Sequence, residues 1–93
     1  MKLFLVHCGF YNRELASGLY EAHCDYVVAA EDFEAAKKQA KLIPEFKKHK
    51  MHVDGVLLIE AADGYRVKLE KDAKLKGKTL TTRTKEGWDA LND

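Results

Sequence analysis

Three of the four histidines in this 93-residue chain stand at the margins of apolar runs, and two of them carry an aspartate two positions on. His7 closes Leu3-Phe4-Leu5-Val6, while the other two begin His23-Cys24-Asp25 and His52-Val53-Asp54. In an extended strand a spacing of two puts both side chains on one face, so each pair presents an imidazole beside a carboxylate. That donor set suits a divalent transition metal such as zinc, iron, manganese or nickel. It also suits general acid–base work, since histidine titrates near neutrality. His7, His23, Asp25, His52 and Asp54 are therefore the candidate metal ligands. No dedicated motif accompanies them: the chain has no Cys-x-x-Cys, no His-Glu-x-x-His and no glycine loop for phosphate, and Ser17 lacks a nucleophile elbow. The plainer alternative is that these groups hydrogen-bond across neighbouring strand ends and fix the loops there.

The elements that must position them can be read from periodicity. Lys2 to Gly9 is a strand apolar on both alternating faces, which suits a central position. Phe10 to Leu19, with Asn12, Ser17 and Gly18, reads as a loop. Tyr20 to Ala30 is a second strand with one face suited to a core. Glu31 to Ile43 reads as a helix, with Phe33, Ala36, Ala40 and Ile43 on one stripe, acidic residues first and lysines last. Pro44 stops it, and a lysine-rich loop follows. His52 to Ala61 is a third strand, again apolar on both faces, and Asp63-Gly64 marks a tight turn into a fourth, amphipathic strand from Tyr65 to Leu69. Thr79 to Thr84 has strand-like composition, and Trp88 and Leu91 could anchor the tail.

This order implies an α+β fold. Its expected form is a four-stranded antiparallel sheet (strand-strand-helix-strand-strand, order 2-1-3-4) with one helix on one face and an extended C-terminal tail. In that arrangement the first strand runs opposite to the second and third. His7 at its end then approaches the strand starts that carry His23 and His52. Whether the three share a face depends on register. Cys8 and Cys24, each adjacent to a histidine, point to the opposite face and are expected to be buried structural thiols. One helix covers one face only, so the other needs the tail or a second subunit.

Length bounds the possibilities. Ninety-three residues make one small domain, assigned here as residues 1–70 with a 71–93 extension that packs on it or on a second subunit. An apolar fraction of 46% beside 33% charged excludes general disorder. The longest early apolar run, Leu3 to Val6, is too short for a signal peptide or membrane span, and two cysteines make no disulfide framework. A cytoplasmic location with free thiols is expected. Net charge is +1, yet Lys37, Lys38, Lys41, Lys47, Lys48 and Lys50 cluster against Glu45 alone. Such a segment could attract nucleic acid or an acidic partner, although a solvated helix face accounts for it more simply.

Five stretches also resemble a bacterial family, domain of unknown function 1543, whose members are short and sometimes occur in tandem copies. They are Leu3-Phe4-Leu5-Val6 with Gly9, Glu21-Ala22-His23, Val27-Val28-Ala29, His52-Val53-Asp54 and Asp63-Gly64-Tyr65-Arg66-Val67, spanning residues 1 to about 70. The chain departs from the family where Phe10 replaces a second glycine. It departs again where Cys24 separates His23 from its aspartate, turning Asp25 to the other side of the strand relative to the family pattern. The resemblance implies no activity, but it draws attention to Glu21, His23, His52 and Asp54.

Three functions compete on this reading. The first is a binding or interaction module, non-enzymatic and acting as a homodimer through its sheet. The second is a metal site, enzymatic or sensory, at the His7/His23/His52 rim. The third is nucleic-acid or acidic-partner binding through Lys37 to Lys50. The lack of a catalytic motif leans away from an enzyme, and no membrane partner is expected.

Overall fold

The computed structural model describes residues 1–84. β1 (Lys2–Asn12) alternates buried Phe4, Val6 and Cys8 with the less buried Leu3, Leu5 and His7, the pattern of a strand with two different faces. β2 (Tyr20–Ala30) pairs antiparallel along its whole length, from Lys2 opposite Ala30 to Asn12 opposite Tyr20. Those last rungs extend β1 three residues beyond the expected Gly9, and the intervening loop shrinks to residues 13–19. Within it Ala16, Ser17 and Gly18 take left-handed backbone conformations around a short 3-10 turn.

Between β2 and the next long strand lie two helices. α1 (Phe33–Lys41) begins later than the expected 31 because Asp32 caps it, its Oδ1 accepting from the Ala35 amide at 2.7 Å, and it ends before the expected 43. Ala36 and Ala40 are buried against the sheet, and Phe33 meets Phe4 edge-on with centroids 5.2 Å apart. Small alanines on the inner stripe let the helix lie close. After Leu42 and Ile43 the lysine-rich segment is a second helix, α2 (Pro44–Lys48), where a loop was expected. Pro44 ends one helix and begins the next, since its missing N–H costs nothing at a first helical position. α2 buries Phe46, and the chain leaves it through Lys50 in a left-handed conformation, with the Met51 amide bonded to the Phe46 carbonyl at 3.0 Å.

β3 (His52–Ile59) pairs antiparallel with the other side of β1, Leu3 opposite Ile59 and Gly9 opposite His52. The register slips between His7 and Cys8, where Asp54 is the unpaired residue of a bulge. The sheet is three-stranded, with order β2-β1-β3. This corrects the expected four-stranded 2-1-3-4 sheet. The Asp63-Gly64 turn does form, both residues having positive φ, but it joins β4 (Ala61–Ala62) to β5 (Tyr65–Arg66) in a separate two-stranded ribbon. The Val67 amide still reaches the Glu60 carbonyl at 2.9 Å, but no rung ties the return strand to β3. Leu69 lines a small cleft with Met1, Leu3 and Leu58 at the foot of the sheet, where the chain turns away from β3. Alternation of Tyr65, Val67 and Leu69 specified a one-faced segment; it could not specify a partner. β3 is accordingly an edge strand, where a central one was expected.

Residues 79–84 form neither helix nor strand, and Trp88 and Leu91 lie outside the described residues. The core comprises Phe4, Val6, Cys8, Val28, Ala30, Ala36, Ala40, Phe46 and Met51, all on the helix-covered face. No helix among the described residues is long and apolar enough to cross a membrane.

Candidate metal centre

No helix among the described residues covers the other face of the sheet, and the strand register lays the polar residues on it in rows. Gly9 stands between His23 of β2 and His52 of β3. One row along, His7 stands between Asp25 and Gly55, and on the far side Tyr11 is opposite Glu21. Alternation then fixes the face: Glu21, His23 and Asp25 share it along β2, as do His7, Gly9 and Tyr11 along β1. On β3 the bulge keeps His52 and Asp54 on this face and returns Val53, Val56 and Leu58 to the core side. The three histidines and three carboxylates therefore converge.

The tips of these side chains lean over Gly9. A Cβ at that position would lie 2.6 Å from Asp54 Oδ2, 2.7 Å from Glu21 Oε1 and 2.9 Å from His52 Nε2. Glycine is thus required here by the space its neighbours occupy, and its backbone, although on a sheet face, is buried beneath them. Neighbouring strands are about 4.8 Å apart, so the strands bearing His23 and His52 are about 10 Å apart. Only a missing side chain on the strand between lets both imidazoles reach common partners.

Those partners are the two carboxylates. His52 Nε2 lies 3.0 Å from both Glu21 Oε1 and Asp54 Oδ1, and His23 Nε2 lies 3.3 Å from both Glu21 Oε1 and Asp54 Oδ2. Of these four separations only His52 to Glu21 has hydrogen-bond geometry. Each Nε2 carries at most one proton, yet each faces two carboxylate oxygens. Donor atoms around a cation at about 2.1 Å sit about 3.0 Å apart in an octahedral set and about 3.4 Å in a tetrahedral one, which brackets the distances seen. His7 completes the group differently. Its Nδ1 is 2.6 Å from Asp25 Oδ1, and its ring stacks on that of His23 with centroids 5.0 Å apart and planes 9° from parallel. A carboxylate bonded to one ring nitrogen orients the imidazole and leaves Nε2 to ligate.

Two sets of donors each lie within 4.8 Å of one another: His7, His23 and Asp54, and Glu21, His52 and Asp54. These described residues could hold a metal ion. Every member is accessible, with side-chain exposures from 31% at Asp54 to 44% at His52, so a bound ion would keep positions open to solvent or ligand. Of the five candidate ligands read from spacing, Asp25 alone enters neither set and serves His7 instead. Glu21, singled out only by the family resemblance, joins the second set; its signal was the period-two run Glu21-x-His23-x-Asp25. Gly9 was missed, as was Tyr11, whose ring lies 6.2 Å from that of His52. A bare glycine in a strand says that something approaches closely without saying what.

The thiols do not take part. Cys8 and Cys24 are directly opposite each other in the register, unbonded, on the core side of the sheet. Burial is the main cause that pushes the Cys8 thiol up from 9.0 to about 11, with Cys24, Asp25 and Asp54 adding to it. Burial likewise raises the Tyr26 hydroxyl, whose oxygen donates to Glu45 at 3.2 Å. The lysines lie in the helical layer. Lys37 pairs with Glu34 at 3.4 Å and is half-buried, the other five are exposed, and Lys48 and Lys50 join Arg13 around a cleft of about 530 Å³. No family model, no curated protein and no solved structure matches the chain.

Proposed function

We propose that this chain binds a divalent transition metal on the open face of its sheet, through imidazole nitrogens and carboxylate oxygens. The observation that carries this reading is the pairing of single Nε2 atoms with two carboxylate oxygens each, over a glycine that leaves room for nothing else. Neutral imidazoles would match one acceptor to each N–H, and two carboxylates gathered around the same point repel each other unless positive charge lies between them, which a bound metal ion supplies. The donors are nitrogen and oxygen with no thiolate, which favours zinc, iron, manganese or nickel over the softest metals.

The test is calorimetric titration of untagged protein, purified without chelator, with zinc, cobalt and manganese. A dissociation constant below the micromolar range, with binding weakened in His23→Ala and His52→Ala, is expected. Failure of every metal to bind at that level overturns the reading.

A second reading draws on the remainder of the same face. Leu57 and Val27 are 63% and 41% exposed beside Leu3, Leu5 and Ile59, an apolar half-face that a second copy of the chain would cover by sheet-on-sheet packing. Sedimentation equilibrium tests it: a dimer at micromolar concentration is expected, dissociated by Leu57→Glu, and a strict monomer counts against it.

A further inference from the structure

We propose that the site is dinuclear, with Asp54 as the carboxylate that bridges two ions. The inference rests on the metal-binding reading and concerns how many ions that site takes. Asp54 belongs to both donor sets, and its two oxygens face different imidazoles: Oδ2 is 3.3 Å from His23 Nε2 and Oδ1 is 3.0 Å from His52 Nε2. A carboxylate serving one ion offers it one oxygen, or both from the same side. A carboxylate turned outward to two imidazoles has the disposition of a bridge, which holds its ions about 3.5–4 Å apart.

The remaining groups divide between the two ends. His7, oriented by Asp25, stands with His23 at the Oδ2 end, and Glu21 stands with His52 at the Oδ1 end. Glu21 Oε1 also reaches both imidazoles, at 3.3 Å from His23 and 3.0 Å from His52, and so lies along the second edge between the ions. The bulge in β3 is what makes this possible. It sets Asp54 out of the ladder opposite the His7/Cys8 step, so that its carboxylate reaches over Gly9 instead of standing beside Gly55. With three protein donors at each end and every donor partly exposed, each ion retains open positions toward solvent. Two such positions side by side suit a ligand with two oxygen atoms.

The deciding experiment loads the full chain with manganese(II) or cobalt(II), counts ions by native mass spectrometry and records the electron paramagnetic resonance spectrum of the manganese form. Two ions per chain with an exchange-coupled manganese signal are expected. His7→Ala and His52→Ala, which remove a ligand from opposite ends, should each leave one ion and an uncoupled signal, while Asp54→Asn should abolish coupling. These side chains are exposed, so unchanged far-ultraviolet circular dichroism is expected for all three. Saturation at one ion per chain overturns the dinuclear proposal and leaves the metal-binding reading standing. Two ions with no coupling, or with coupling that survives Asp54→Asn, overturns the bridge. Absence of any bound ion removes both.

Discussion

The two faces of one three-stranded sheet make opposite uses of the same strands. On the covered face Phe4, Val6 and Cys8 have no exposure and meet Ala36 and Ala40 of α1. On the open face, one residue away along each strand, His7, His23 and His52 stand with three carboxylates around Gly9. The pairs His7-Cys8 and His23-Cys24 are split between these environments, so Cys8 is buried and Cys24 half-buried on the core side while the imidazoles are left accessible. Alternation in a strand therefore does more than separate inside from outside. Here it sorts ligand types, and it keeps the stability of the domain largely independent of the donor cluster.

That contrast can be broken most directly in the core. Phe4→Ala should cost about 3–5 kcal/mol, the usual loss for truncating a buried aromatic, whereas Leu57→Ser on the open face, measured at concentrations that keep the chain monomeric, should change stability by about 0.5 kcal/mol or less. Urea denaturation of both variants checks this; equal losses would mean that the open face is covered after all. Next in size is Gly9→Ala. Its new methyl group would collide with the movable tips of Asp54, Glu21 and His52, so metal affinity should fall about 10–100-fold while the urea midpoint stays near that of the parent. A fall in stability as large as that of Phe4→Ala would show that the cluster is part of the core's support.

Asp25→Asn sharpens the comparison within the open face. Asp25 bonds His7 and enters neither donor set, so the ion count should be retained and affinity should drop about tenfold, less than for loss of a ligand. Calorimetry separates the two quantities. The smallest effect is a pH dependence belonging to the covered face. The Cys8 thiol is raised from 9.0 to about 11 by burial, so the folded state holds its proton more tightly than the unfolded chain does. Its contribution to stability is intact below pH 9 and is lost as pH rises to about 11. Tyr26 shifts in the same direction. Denaturation in the presence of a reductant at pH 8 and pH 10 should show the decline, and Cys8→Ala should reduce it.

Much of this was legible in the residues. The runs Leu3–Val6 and Val56–Ile59, the 3.6-residue stripe with Ala36 and Ala40, and the Asp63-Gly64 turn each carry a local signal, because backbone period and turn conformation are set by neighbouring side chains. Each His-x-Asp spacing likewise put an imidazole and a carboxylate on one face before any partner strand was known. Pairing was less legible. Tyr65, Val67 and Leu69 alternate as a strand does, yet the return segment pairs with Ala61–Ala62 in its own ribbon, since alternation names a face and leaves the neighbour open. α2 was missed because Pro44, read as a stop, also starts a helix.

The sequence by itself determined the three long strands, the long helix and the faces on which His7, His23, Asp25, His52 and Asp54 stand relative to their nearest neighbours in the chain. The tertiary structure alone decided that Gly9 falls in register between His23 and His52, and that a bulge opposite the His7/Cys8 step turns Asp54 toward both. It also brought Glu21 within 3.0 Å of His52, thirty-one positions away. The reason is physical: a side chain's direction follows from the dihedral angles of its own residue, whereas the distance between groups on three strands follows from register. Register is a cooperative property of all the rungs, and a one-residue slip of either outer strand would send its donors to the other face.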